Sequence, residues 1–216
     1  MERQTAATAM ADMLKGYGVT HIFYLPAVLR RMLREGERRT LIRGIHAHSE
    51  AGAAYMADGY ARATGRPGIC MAQIIGALNL CAGLRDAHLA KSPIIALTGG
   101  REANHRDRWA YQEVDDIPAF APYTKMNAVV DDPARLPDML RQAFRVATTG
   151  SPGPVHLQLA GNTGQAIENA EIDFDGVIEA QYGQVPPDRP QPDLNKVGEA
   201  AKRISEARRP VIVAGG

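Results

Sequence analysis

Cysteine is scarce. The chain has two among its 216 residues, Cys70 and Cys81, each in an apolar stretch and not at Cys-x-x-Cys spacing. That excludes a disulfide framework and a thiolate metal cage, and it fits a reducing, cytoplasmic setting. Neither sign of charge is in excess: 25 Lys and Arg face 24 Asp and Glu, so nothing electrostatic points to nucleic acid or an anionic membrane as a partner. No apolar run approaches the ~20 residues needed to span a bilayer. Residues 1–5 read as the opening of an amphipathic helix, not as a signal peptide. Also missing are G-x-G-x-x-G and G-x-x-x-x-G-K-[ST], the glycine loops that cradle dinucleotides and nucleoside triphosphates, and the G-x-S-x-G turn that would make Ser49 a hydrolase nucleophile. Aromatic residues make up only 6% of the chain, while alanine and glycine abound, a composition suited to helices packed closely on a sheet. A small molecule is the expected partner.

The order of hydrophobic patterns gives the fold class. Ala6, Met10 and Leu14 recur at helical spacing, and Gly16 and Gly18 then precede a buried strand at residues 20–25. A short helix at 28–34 and a strand at 41–45 lead to a helix over 50–63. Strands at 69–72, 93–98, 125–130 and 154–159 alternate with helices at 77–89 and 133–148, the latter capped by Asp132. Such alternation predicts an α/β domain, doubly wound, with a mostly parallel sheet and helices on both faces. The pattern lapses after residue 161, and the prolines at 186, 187, 190 and 192 mark a linker. Asp193 then caps a further helix, and residues 209–216 read as a strand entering a glycine turn. The expected organisation is therefore a domain at 1–162, a linker at 163–192, and the cut-off start of a second α/β domain at 193–216.

Open α/β sheets bind ligands beyond the carboxyl ends of their strands, which here means Pro26, residues 48–50, residues 73–79 and the stretch from Gly99. His46 and His48 are too few for a zinc site without a third ligand. Glu50 at a helix start is open to two readings, a carboxylate favoured by the helix dipole or a functional acid.

The stretch His48-Ser49-Glu50-Ala51-Gly52-Ala53-Ala54-Tyr55-Met56-Ala57-Asp58-Gly59-Tyr60-Ala61-Arg62 closely resembles the catalytic-glutamate helix of acetolactate synthase-like thiamine diphosphate enzymes. Similar segments follow in the family's order: residues 65–70, Gly76-Ala77-Leu78-Asn79-Leu80, residues 93–99, Tyr111-Gln112-Glu113, Thr124-Lys125 and Ser151-Pro152-Gly153-Pro154-Val155. The likeness covers residues 3–160, and residues 209–216 resemble the opening strand of the family's central domain.

The resemblance implies that residues 1–162 bind the pyrimidine of thiamine diphosphate. It makes Glu50 the catalytic group, hydrogen-bonded to N1′ of the aminopyrimidine so that the 4′-nitrogen can take the proton from thiazolium C2. Pro26, Gly76 and Asn79 would lie beside the cofactor, and Gln73, Gln112 and Lys125 around the channel for a 2-oxo acid substrate. The family's metal motif, Gly-Asp-Gly with a downstream Asn, is missing: Asp58-Gly59 and Asp175-Gly176 lack the preceding glycine. Magnesium is therefore expected on a diphosphate-binding domain of the same or another subunit, in a homo-oligomer. The fragment alone is expected to be inactive.

Two loops depart from the acetolactate synthase pattern. Leu25-Pro26-Ala27-Val28 stands where relatives carry a Tyr-Pro-Gly-Gly type loop, and Ile74-Ile75-Gly76-Ala77-Leu78-Asn79 where they carry Ser-Gly-Pro-Gly-Ala-Thr-Asn. The bulkier residues imply a more apolar pocket and leave the substrate open. Three classes stand beside one another at this stage: half of a decarboxylase or carboligase site, a non-catalytic interaction subunit that keeps the fold, and a doubly wound nucleotide-binding module.

Overall fold

In a computed structural model, which describes residues 2–105 and 107–214, the sheet and helices alternate as the patterning predicts. In chain order they are β1 (Glu2–Thr5), α1 (Ala6–Gly16), β2 (His21–Tyr24), α2 (Arg30–Glu35), β3 (Arg43–His46), α3 (Glu50–Thr64), β4 (Gly68–Ala72), α4 (Cys81–Ala90), β5 (Ile94–Gly100), α5 (Ile117–Phe120), β6 (Met126–Val130), α6 (Leu136–Thr148), β7 (Val155–Ala160), α7 (Gln165–Glu168), β8 (Glu171–Phe174) and α8 (Leu194–Glu206). The six-stranded sheet is parallel throughout, in the order β3-β2-β4-β5-β7-β6. Its central strands β4, β5 and β7 are buried along their whole length, as strands covered on both faces must be.

Alternation along each strand sorts side chains between the two faces. Ile69 and Met71, Ile95 and Leu97, and Leu157 and Leu159 join α1, α2 and α6 in one core, where Tyr17 stacks on Phe144 with ring centroids 3.8 Å apart. Cys70, Ala72, Ile94 and Ala96 face α3 and α4 in the other. Burial pushes the Cys70 thiol up to about 12, so it stays a small apolar side chain and no nucleophile.

The structure departs from the sequence reading in several places. Residues 2–5 form a strand and not the opening of a helix, because the Thr5 hydroxyl accepts the Thr8 N–H at 3.2 Å and sets the start of α1 at Ala6. That strand pairs antiparallel with β8. The helix expected from residue 77 begins as a 3₁₀ segment, Ile74–Leu80, and turns α-helical at Cys81. Asp132 does cap, through the Ala134 N–H at 2.9 Å, but the turn it caps is a 3₁₀ turn, Pro133–Arg135, and α6 starts only at Leu136.

Among the described residues, neither the linker nor a second domain appears. Ile167, Ile172 and Phe174 sit in the main core, and the Val185 N–H bonds to the Gly65 carbonyl at 2.7 Å. Glu171–Phe174 alternates polar with apolar residues but over only four positions, too few to be distinguished from loop, which is why this region reads as linker in the sequence. Asp193 caps α8 as expected, accepting from Asn195 at 2.8 Å, yet every residue of α8 is exposed. Residues 207–214 form no strand, and the expected glycine turn at Gly215 and Gly216 lies outside the described residues.

Candidate functional site

The chain leaves β2 towards β3 on one side and passes through α3 to β4 and then β5 on the other, so the sheet's switch point lies between β2 and β4. Crevices at the carboxyl ends of such strands are where this architecture binds ligands. Glu50 follows β3 at this edge. Ser49 is extended (φ −156°), and its hydroxyl accepts the Gly52 N–H at 3.0 Å, which makes Glu50 the first residue of α3 and places its carboxylate where the helix dipole favours negative charge.

Glu50 is half-buried and meets the segment after β4. The Asn79 side-chain amide donates to Glu50 Oε2 at 3.1 Å. Gly76 lies under the other oxygen: a Cβ there would overlap the Glu50 carboxylate, so only glycine lets this carboxyl group occupy its place. One oxygen is thus held by a donor, while Oε1 rests against the bare backbone of Gly76. The elements bearing these residues also carry exposed apolar side chains, Tyr55 and Met56 on α3 and Ile75 and Leu78 between β4 and α4.

Gln73 and Gln112 are brought together as well: Gln73 Nε2 donates to Gln112 Oε1 at 2.8 Å, joining the end of β4 to the 101–116 loop. Gln112 holds a left-handed backbone (φ 65°) to do so. Pro26 stands at the same sheet edge but lines a separate open cavity of about 360 Å³ with Tyr24, Arg30, Arg34, Glu37 and His46. The neighbouring Ala27 takes φ 78°, a glycine conformation retained without glycine. Lys125 does not join the others. It precedes β6 at the amino edge of the sheet, where its ammonium donates to the carbonyls of Val146 and, at 2.8 Å, Thr149 at the end of α6. Desolvation lowers its pKa, and the role shown by this geometry is that of a helix C-terminal cap.

Beneath the edge, on the α3 and α4 side of the sheet, runs a polar strip that sequence reasoning passed over. His156 is fully buried, stacked on Phe120 with ring centroids 3.7 Å apart. Its ring lies 2.7 Å from both Thr98 Oγ1 and Asn127 Oδ1. Because Asn127 spends its amide on the Ile117 carbonyl at 2.6 Å, its oxygen must accept, which makes His156 Nδ1 the N–H and Nε2 the acceptor of the Thr98 hydroxyl. Burial holds this imidazole neutral, its pKa pulled down to about 3. Gln158 beside it donates to buried Asp116 at 2.5 Å, and desolvation raises the Asp116 pKa. The signal was present: within Val-His-Leu-Gln-Leu-Ala, the polar residues occupy the alternate positions of an otherwise apolar strand.

Among the described residues, no group of three or more His, Cys, Asp or Glu is placed to hold a metal ion. No helix among them is long and apolar enough to cross a membrane.

An acetolactate synthase from Arthrospira platensis is 34% identical over 224 residues, an alignment that spans 100% of this chain and 38% of that protein. The probable acetolactate synthase large subunit of Methanocaldococcus jannaschii is 35% identical over 213 residues, covering 97% of this chain and 35% of its own length. For the acetolactate synthase large subunit of Corynebacterium glutamicum the figures are 34% over 220 residues, 100% and 34%. The chain therefore spans little more than a third of the relatives it matches. Residues 4–119, which include Glu50, Gly76, Asn79 and Gln112, match the thiamine pyrophosphate enzyme N-terminal TPP binding domain, and the chain belongs to that family.

Proposed function

We propose that this chain supplies the pyrimidine-binding half of a thiamine diphosphate site acting on 2-oxo acids by decarboxylation, with carboligation of the product as in the acetolactate synthases it resembles. The observation that carries this reading is the Glu50 carboxylate, held by Asn79 and seated over Gly76 at the switch point of the sheet. The residues fit the cofactor. A flat aminopyrimidine needs a carboxyl group at its ring edge, and a Cβ at residue 76 would push the Glu50 carboxylate from its place.

When bound, thiamine diphosphate supplies a thiazolium able to accept the electrons released by decarboxylation. The chain's own part is positional and protonic. With the cofactor bound, Glu50 Oε1 would hold a proton at N1′ of the pyrimidine, and the Asn79 amide, bonded to Oε2, would keep the carboxyl group oriented for it. Exposed Ile75, beside Gly76, gives the pocket an apolar wall, and buried Ile74 backs it, which favours a 2-oxo acid with a small apolar side chain. Gln73 and Gln112, paired at 2.8 Å, form a polar gate on the side of the 101–116 loop.

Magnesium and the cofactor diphosphate belong to a diphosphate-binding domain, of the same or another subunit, in a homo-oligomer. Exposed Tyr55, Met56, Leu78 and Leu89 support a docked neighbour on the α3 and α4 side. The test is carbon dioxide release from pyruvate by the full-length protein: turnover should require both thiamine diphosphate and magnesium and should vanish in Glu50→Gln with the fold intact. Turnover independent of the cofactor would refute the reading.

A further inference from the structure

The segment that follows β7 lies beyond the part of the chain matched to the cofactor-binding family, yet it reaches the loops after β2, β4 and β5 at the edge of the proposed site. Its first residue, Gly161, takes φ 94° and accepts the Gly100 N–H at 2.9 Å, which ties it to the end of β5. The Asn162 carbonyl accepts the Ile74 N–H at 3.0 Å, holding the start of the turn that carries Gly76 and Asn79. Its side-chain amide donates to the Tyr111 carbonyl at 3.0 Å, next to Gln112. The Thr163 carbonyl accepts the Leu29 N–H at 2.9 Å, and Glu168 Oε2 accepts the N–H groups of Arg31 and Met32, each at 3.0 Å. Those last bonds hold the loop that follows Pro26.

The fit is close. A Cβ at Gly99 would collide with the Asn162 carbonyl, and Gly164, at φ 76°, leaves room for the Leu29 side chain. Glu168 is buried, and desolvation raises its pKa against the effect of the N–H groups it accepts. The Ile74, Arg31 and Met32 N–H groups belong to the first turns of helical segments, which have no partner within their own helix. All of them find one in this single connection. Loops from the ends of β2, β4 and β5 are thereby fixed relative to one another through a shared body.

We infer that residues 161–168 act as a clamp setting the relative placement of the loops that bear Pro26, Gly76 with Asn79, and Gln112, with Asn162 and Glu168 as its positioning residues. The inference rests on reading this edge as the pyrimidine-binding side of the site. A cofactor gripped from several loops needs them in register, because small misplacements of positioning groups are costly to rate.

The test compares Glu168→Ala, Glu168→Gln and Asn162→Ala in the full-length protein by amide hydrogen exchange and by cofactor-dependent turnover. Loss of the Glu168 acceptor should speed exchange about tenfold at Leu29 and Met32, and also at Ile74 and residues 110–113, while residues 69–72 of the core keep their rates. The thiamine diphosphate concentration for half-maximal turnover should rise several-fold, with kcat at saturation little changed. Glu168→Gln, which keeps an acceptor oxygen, should restore both. Asn162→Ala should loosen 110–113 and, through the same body, residue 29, so the clamp stays testable if Glu168→Ala fails to fold. Exchange confined to residues 29–32, or no recovery in Glu168→Gln, would overturn the clamp. Coupled exchange in a protein whose turnover ignores thiamine diphosphate would sustain the clamp and refute the cofactor reading instead.

Discussion

Against one face of the sheet, α1 and α6 bury Met10, Met13, Leu14, Leu140 and Phe144; against the other, α3 and α4 bury Ala53, Ala54, Ala57, Leu84 and Ala87. The first layer is held by the volume of its side chains, the second by close approach of its backbones. At Gly83 of α4, a Cβ would lie 2.6 Å from the Ala54 Cβ and 2.8 Å from backbone atoms of α3. The first layer is also closed, with the large apolar residues of α1 and α6 turned inward. The second turns Tyr55, Met56 and Leu89 outward at 46%, 42% and 69% exposure. The proposed site stands on the second layer. A thin, rigid layer with an apolar outer face suits a site whose other half comes from a neighbour.

Several substitutions and one titration would break or sharpen this contrast. The largest effect belongs to His156, on the thin-layer side of the sheet. Its folded pKa is depressed from 6.5 to about 3, so the unfolded chain binds a proton that the native state refuses. Its contribution is present above pH 6.5 and is lost as pH falls towards 3, on the order of 5 kcal/mol in all. Urea unfolding between pH 7 and pH 4 should show this slope, and His156→Gln should flatten it; equal slopes in the two proteins would remove His156 from the account.

In the side-chain-filled layer, Phe144→Ala removes a fully buried ring stacked on Tyr17 and should destabilise by about 3–5 kcal/mol in the same assay. In the backbone-packed layer, Gly83→Val adds atoms where there is no space and should cost about 1–3 kcal/mol, with α3 displaced. A neutral Gly83→Val would show that the helices can separate and that the layer is not rigid. On its outer face, Leu78→Lys should alter stability by less than about 0.5 kcal/mol yet weaken self-association, read by analytical ultracentrifugation. Unchanged association would place the interface elsewhere.

How much of the molecule was legible in the sequence depends on the range of each interaction. Hydrophobic alternation is local, so the parallel strands and the start of α3 at Glu50 behind Ser49 could be read directly. The family-like segment Gly76-Ala77-Leu78-Asn79-Leu80 directed attention to Gly76 and Asn79, which the fold brings to Glu50. Pairings between distant segments left no local trace. Strand β1 finds β8 across most of the chain, and Gln73 finds Gln112 across a loop. Lys125 resembles a family position in sequence, but nothing in a linear string tells which edge of a parallel sheet a residue beside a strand will occupy; the register of β6 on β7 puts it at the amino edge. The polar strip of His156 and Gln158 was visible as interrupted alternation, though its partners Thr98, Asn127 and Asp116 come from three other segments.

The central claim is that Glu50 shares a proton with the pyrimidine of thiamine diphosphate. Hydrogen–deuterium exchange at C2 of the bound cofactor, followed by NMR in the full-length protein, reads that step directly and before any substrate reacts. Glu50→Gln should slow the exchange by at least about 100-fold while hydrogen exchange in the core strands stays at its native rates. An unchanged C2 exchange rate in a folded, cofactor-saturated Glu50→Gln protein would contradict the account.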